Sequence, residues 1–193
     1  MSPDFGPEDA RCAAPRQAPI DSARAQRHLA SQPVGDIAEA AWRKLCFYST
    51  PMNKPGSDAR KHSEAFLKCL VRPAIKVVDP TLKVVTSEEL PSRLIRAGIS
   101  ECVARCRLMI ADLSYHYPNV LHEVGLRDAK EKPLVLISRD IDPIPSNLGD
   151  MRTVLIGTNP WDILENQESY QRKIERYARW VLADNDAYYA IDL

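Results

Sequence analysis

The chain has 193 residues, 45% of them hydrophobic, and its 26 Lys plus Arg are matched by 26 Asp plus Glu. That length suits one domain with a tail, and zero net charge argues against bulk nucleic-acid binding, which needs a basic surface, while leaving room for a small nucleotide. No apolar run approaches the roughly 20 residues of a membrane span, residues 1–30 show no apolar core of a secretory signal, and the five cysteines are irregularly spaced; together these predict a reduced, cytoplasmic protein.

Residues 1–33 hold Pro3, Pro7, Pro15, Pro19 and Pro33 with few large apolar side chains. Such a segment buries too little surface to offset its ordering entropy, which predicts a flexible tail ahead of a folded α/β domain at 34–193. Residues 34–43 suit a short helix with Ile37, Ala41 and Trp42 on one side. Leu45 to Ser49 reads as a buried strand, and the Pro/Gly/Asn run 51–58 breaks it. Ser57 or Asp58 is expected to cap a helix reaching about Lys76, with Phe66, Leu67, Leu70, Val71 and Ile75 at helical spacing and Pro73 bending it or marking its last turn. A second strand is expected at Leu82–Thr86, a helix at 92–106 and a third strand at Leu108–Asp112. Pro118 opens a helix to Glu131, proline being favoured at a first turn where its missing N–H costs nothing. Strands at Pro133–Ser138 and Thr153–Ile156 and a helix at Glu168–Asp184 complete the pattern. Strands alternating with helices imply right-handed βαβ units and a parallel sheet. Five of them predict a flavodoxin-like or Rossmann-like three-layer sandwich with strand order 2-1-3-4-5, whose switch point lies between strands one and three.

The candidate chemistry gathers at that switch point, around the loops after Ser49 and Asp112. Asp112 ends a strand, where its carboxylate either meets a ligand or caps the next turn through the N–H of Ser114. Glu123 lies in the first turn and a half of the following helix. It either faces the same crevice as Asp112 or pairs with Arg127 four residues on as a solvated surface group. Gly125 inside that helix is unfavourable by about 1 kcal/mol relative to Ala, which suggests a close approach to the sheet or to a ligand. The loop Ser49–Ser57 precedes a helix N-terminus, which favours anions. It is either a phosphate site assisted by Lys54 or Arg60, or an ordinary loop, and it is neither a Walker loop nor a dinucleotide fingerprint. Cys102, Cys106, His116 and His122 match no standard metal spacing, and helical cysteines are commonly buried hydrophobes. No metal and no cofactor is expected.

The order Ala-Asp-Leu-Ser-x-x-x-Pro-Asn-Val-x-x-Glu-Val-Gly-Leu-x-x-Ala-x-x-Lys-Pro-Leu-Val-Leu-Ile at 111–137 resembles the nucleoside 2-deoxyribosyltransferase superfamily, especially its broad bacterial branch. Leu45 to Arg60 is similar to that branch's first strand and loop, with Met52 where an aromatic is usual, and Ile144 to Leu148 is similar to its Pro-Phe-Asp-Leu. By this resemblance Glu123 falls on the family's nucleophile, which attacks C1′ of a sugar as the base leaves; water or a second base then resolves the glycosyl-enzyme, as in retaining glycosidases. Asp112 falls on a residue that contacts sugar or base. Ser49, Thr50 and Ser114 would line the sugar and phosphate side, with Met52, Lys54 and Asn119 completing the expected substrate-binding set. The resemblance implies N-glycosidic cleavage or base exchange on a nucleoside, nucleotide or NAD. It also implies a homo-oligomer, a dimer in which a partner's C-terminal residues, here 187–193, help complete the site. The related TIR-like domains share this fold class and use a Glu to cleave NAD, often in immune signalling. A non-catalytic nucleotide sensor or interaction module on the same fold is the alternative from another functional class.

Overall fold

The computed structural model describes residues 39–51, 54–90 and 98–190, with the side chains of 160 and 185–190 excepted. The predicted tail, the start of the 34–43 helix, Met52, positions 92–97 of the predicted 92–106 helix and the end of the 187–193 segment lie outside the described residues.

Five strands, β1 (Leu45–Ser49), β2 (Lys83–Val85), β3 (Leu108–Asp112), β4 (Leu134–Arg139) and β5 (Thr153–Ile156), form one parallel sheet in the order β2-β1-β3-β4-β5. This is the expected flavodoxin-like order. β1 and β3 are buried at all five positions, because a central parallel strand is covered on both faces.

Alternation along the strands divides the core in two. Cys46 and Tyr48 of β1, Leu108 and Ile110 of β3, and Val135 and Ile137 of β4 point to one face. There they meet α2 (Asp58–Phe66), α3 (Arg72–Val78) and the C-terminal α6 (Pro160–Ala190). Leu45 and Phe47, Met109 and Ala111, and Leu136 point to the other face. There they meet α1 (Glu39–Trp42), α4 (Ile99–Arg105) and α5 (Pro118–Asp128). The chain therefore leaves β1 toward one face and β3 toward the other, which makes the gap between their carboxyl ends the switch point.

The helix after β1 starts as expected, with Ser57 Oγ accepting the Arg60 N–H at 3.3 Å. It runs to Val78 and contains a π turn at Leu67–Val71. Pro73 accounts for the irregularity. An ordinary helix would direct the residue-73 N–H to the Cys69 carbonyl, and proline has no such proton. The Cys69 oxygen is instead filled by the Gln167 and Gln171 side-chain amides of α6, at 3.2 and 2.7 Å. Pro73 thus lies within the continuous helical run, just beyond the π turn, rather than in its last turn.

Beyond shifts of a residue or two, the ends of three helices differ from expectation, the last also running on to Ala190 past the predicted Asp184. α5 stops at Asp128, and the next turn places Glu131 at φ 52°. α4 is described from Ile99. α6 begins at Pro160, eight residues before the predicted Glu168, with Asn159 Oδ1 accepting the Trp161 N–H at 3.0 Å. Trp161 and Leu164 are exposed in its opening turns, so no core-facing stripe marks the start.

Candidate functional site

Ser49 is the last residue of β1, lies beside Ala111 of β3 and continues the α5-facing alternation. Its hydroxyl donates to Glu123 Oε2 at 2.5 Å, which joins the end of the strand to the second turn of α5. Glu123 is half-buried. Burial pushes its carboxyl above the ordinary value, against the opposing pulls of the Ser49 hydroxyl and His122. Desolvation penalises the charged form while a hydrogen bond to it favours that form.

Arg127 is not its counter-ion. That side chain is fully buried and donates to three main-chain carbonyls: Val103 at 2.7 Å, Pro133 at 3.0 and 3.2 Å, and Arg107 at 3.3 Å. The surface pair open to Glu123 on spacing alone is therefore absent, and among the described residues Glu123 forms no ion pair. Gly125 is exposed, and a Cβ built on it would meet nothing within 4 Å. The expected close approach to the sheet does not occur.

Asp112 follows Ile110 in the alternation and so points to the opposite face, toward α2. It is fully buried. Its Oδ1 accepts the Ser114 N–H at 3.0 Å, the capping role foreseen for it. Its Oδ2 accepts the Tyr48 hydroxyl at 3.2 Å and lies 3.2 Å from His62 Nε2. Burial, then the Asp112 charge, push the Tyr48 phenol well above its ordinary value. The His62 ring stacks against Phe66 at 3.8 Å and meets Tyr115 edge-on at 5.5 Å. The two carboxylates expected in one crevice thus flank the sheet at its carboxyl edge, Glu123 with Ser49 on one side and Asp112 with His62 and Tyr48 on the other.

The loop after β3 is held in an uncommon conformation. Tyr115 and His116 both have positive φ, 63° and 50°, a region that few non-glycine residues occupy. Asp142 holds it by accepting the Tyr115 N–H at 3.1 Å and pairing with Arg139, whose guanidinium lies 3.6 Å from the Tyr115 ring centroid. His116 Nε2 lies 2.6 Å from the Pro143 carbonyl oxygen. Strain of this kind clusters at ligand sites. His62, Tyr48, Tyr115, Arg139 and Asp142 were not singled out by sequence reasoning. For His62 the available signal was its place four residues before Phe66, on the buried side of α2.

The other expected residues are dispersed. Ser114 is buried, and its Oγ accepts the Arg139 N–H at 3.1 Å. Thr50 follows Ser49 and so turns to the α2 face, away from Glu123. Lys54 and Asn119 are exposed. Arg60 is occupied by Glu64 and Glu88. Cys102 and Cys106 are buried beneath α5, as expected of helical cysteines, and among the described residues no cluster of three His, Cys, Asp or Glu side chains is arranged to hold a metal.

No protein-family model and no curated protein matches this chain. Among solved structures it is similar to the Francisella novicida lysine decarboxylase LdcF, at 15% identity and a TM-score of 0.36, over 69% of this chain and 17% of that one. The chain thus corresponds to under a fifth of that enzyme's length, and at this TM-score the likeness carries no argument about function.

Proposed function

We propose that this domain cleaves, or exchanges the base across, the N-glycosidic bond of a small nucleoside, nucleotide or NAD, with Glu123 as nucleophile. The observation that supports this most is the setting of Glu123. It is a half-buried carboxylate at the switch point that forms no ion pair among the described residues and accepts a 2.5 Å hydrogen bond from Ser49. The motif at 111–137, similar to that of the deoxyribosyltransferases, assigns the same residue the same role.

In this reading the Glu123 carboxylate attacks C1′, the base departs with the glycosidic bonding pair, and a glycosyl ester forms on the side chain. Water or a second base then displaces the carboxylate. Ser49 holds one carboxylate oxygen so that the other faces the sugar, and it favours the charged, nucleophilic form against burial.

The test is release of free base from NAD and from a panel of nucleosides and 5′-nucleotides, followed by chromatography. Wild type is expected to release base from at least one substrate class. Glu123→Gln, nearly isosteric, is expected to lower the rate at least ~10³-fold with the fold intact, comparable to losing a group that acts only in the transition state. Full activity in Glu123→Gln would remove Glu123 from the role. No release from any substrate at high enzyme concentration would favour a domain that binds nucleotides without cleaving them.

A further inference from the structure

On the α2 face, beyond the Asp112 cluster, a groove of about 410 Å³ opens between the carboxyl ends of β1 and β2 and the helix above them. Thr50 and Thr86 line it from below, Ser63, Leu67 and Lys68 from the helix above. That volume suits a small metabolite. We propose that this groove is a second ligand site, separate from the Glu123 crevice, for a small molecule bearing an oxyanion, either a phosphate monoester or a carboxylate.

Three independent features lead there. The first is Thr50, which is 6% exposed and lines the groove, and whose Oγ1 makes no well-formed hydrogen bond although the Tyr48 hydroxyl lies near it. A ligand oxygen in the groove would give this buried hydroxyl a better-aligned partner. The second is the pair of arginines at the rim. Arg60 presents its fork to Glu88 at 2.6 and 2.8 Å, and Arg72 meets Glu89 at 2.5 Å. Glu88 and Glu89 follow β2 and are about half exposed, at 54% and 42% of their side chains. The Arg72–Glu89 pair, exposed on both sides, contributes little, whereas Arg60 is only 21% exposed and grips Glu88 with two bonds; a ligand oxyanion would displace Glu89 readily and would have to match Glu88 in a fork already shaped for carboxylate or phosphate. Lys68 adds a cation that has no ion pair among the described residues. The third is the π turn at Leu67–Val71, which forms part of the groove's upper wall. Such turns recur at functional sites, and this one is held open by Pro73 and by two glutamines from α6.

Ser49 and Thr50 are consecutive, and one faces Glu123 while the other faces the groove. The end of β1 is therefore a wall shared by both sites, and this assignment does not depend on the glycosidase reading.

The test titrates the full chain by calorimetry with ribose 5-phosphate, inorganic phosphate and succinate. Saturable binding of a phosphate probe or of succinate identifies which oxyanion class the groove takes. Thr50→Val is expected to weaken that binding roughly five- to tenfold, the worth of about one hydrogen bond. Arg60→Gln should weaken it at least about tenfold, as loss of a charge-assisted fork does. Glu88→Gln, which frees the Nη fork of Arg60 while its Nε stays with Glu64, should tighten it several-fold, and Glu123→Ala should leave it unchanged. No binding by any probe at ~10 mM overturns the proposal. So does binding that both Thr50→Val and Arg60→Gln leave unchanged, and so does binding that Glu123→Ala abolishes, which would place the ligand in the Glu123 crevice.

Discussion

Two side chains four residues apart on α5 have opposite fates, and the difference comes from what each finds nearby. Arg127 reaches main-chain carbonyls at the end of α4 and ahead of β3 and β4 and is drawn fully inside. Glu123, one turn earlier, meets the Ser49 hydroxyl at the sheet edge. Arg127→Met keeps most of the volume but removes the guanidinium bonds to the Val103, Arg107 and Pro133 carbonyls, of which Pro133 retains the Met109 N–H. Leaving buried acceptors unpaired is expected to destabilise the fold by about 3 kcal/mol, read as a lower urea midpoint at unchanged slope. Ser49→Ala removes the hydrogen bond that opposes burial at Glu123, so the carboxyl should rise further above its ordinary value. In the proposed reaction the ionised form attacks, so the acid limb of kcat/KM should already lie above the usual carboxylate range in wild type and should move to higher pH in the variant. An acid limb that stays in place would detach Ser49 from Glu123. Spacing alone could not separate these fates: residues at i and i+4 are neighbours on any helix, and only the packing of α4 against α5 shows that one of them faces inward.

At the level of elements, the π turn links two helices about 100 residues apart in sequence. Replacing Gln167 and Gln171 together with Ala should cost roughly 1 kcal/mol through the stranded Cys69 carbonyl. Pro73→Ala supplies the missing N–H, so the same double substitution made in that background should cost measurably less. Equal costs in the two backgrounds, by thermal or urea unfolding, would show that the amides do not serve that carbonyl. β1, β3, β4 and β5 were legible within a residue at each end because apolar runs bounded by polar or turn residues have few other readings. β2 emerged one residue shorter at each end. The start of α6 was hidden because its opening turns leave Trp161 and Leu164 in solvent, and the π turn was hidden because its cause is a proline combined with amides arriving from a distant helix.

For the whole molecule, strand order and switch point followed from the alternation of strands and helices, and the structure has that order. What periodicity did not convey is which side of the sheet each strand-end residue serves. Asp112 and Glu123 are eleven positions apart and end on opposite faces, since one obeys the parity of β3 and the other rides a helix packed on the far side. His62 and the groove that Thr50 and Thr86 share with α2 depend on how that helix settles over β1 and β2, a tertiary fact with no local signature.

The neighbouring hydroxyls of Ser49 and Thr50 also set a rule for how this chain can diverge. Removing or adding one residue within β1 would exchange the sides on which these groups emerge, presenting Thr50 to the α5 carboxylate and Ser49 to the arginine-rimmed hollow. A two-residue change would keep both assignments. Descendants that preserve both placements should therefore vary the length of this strand only in even steps, and an odd step should be accompanied by the loss of at least one of them.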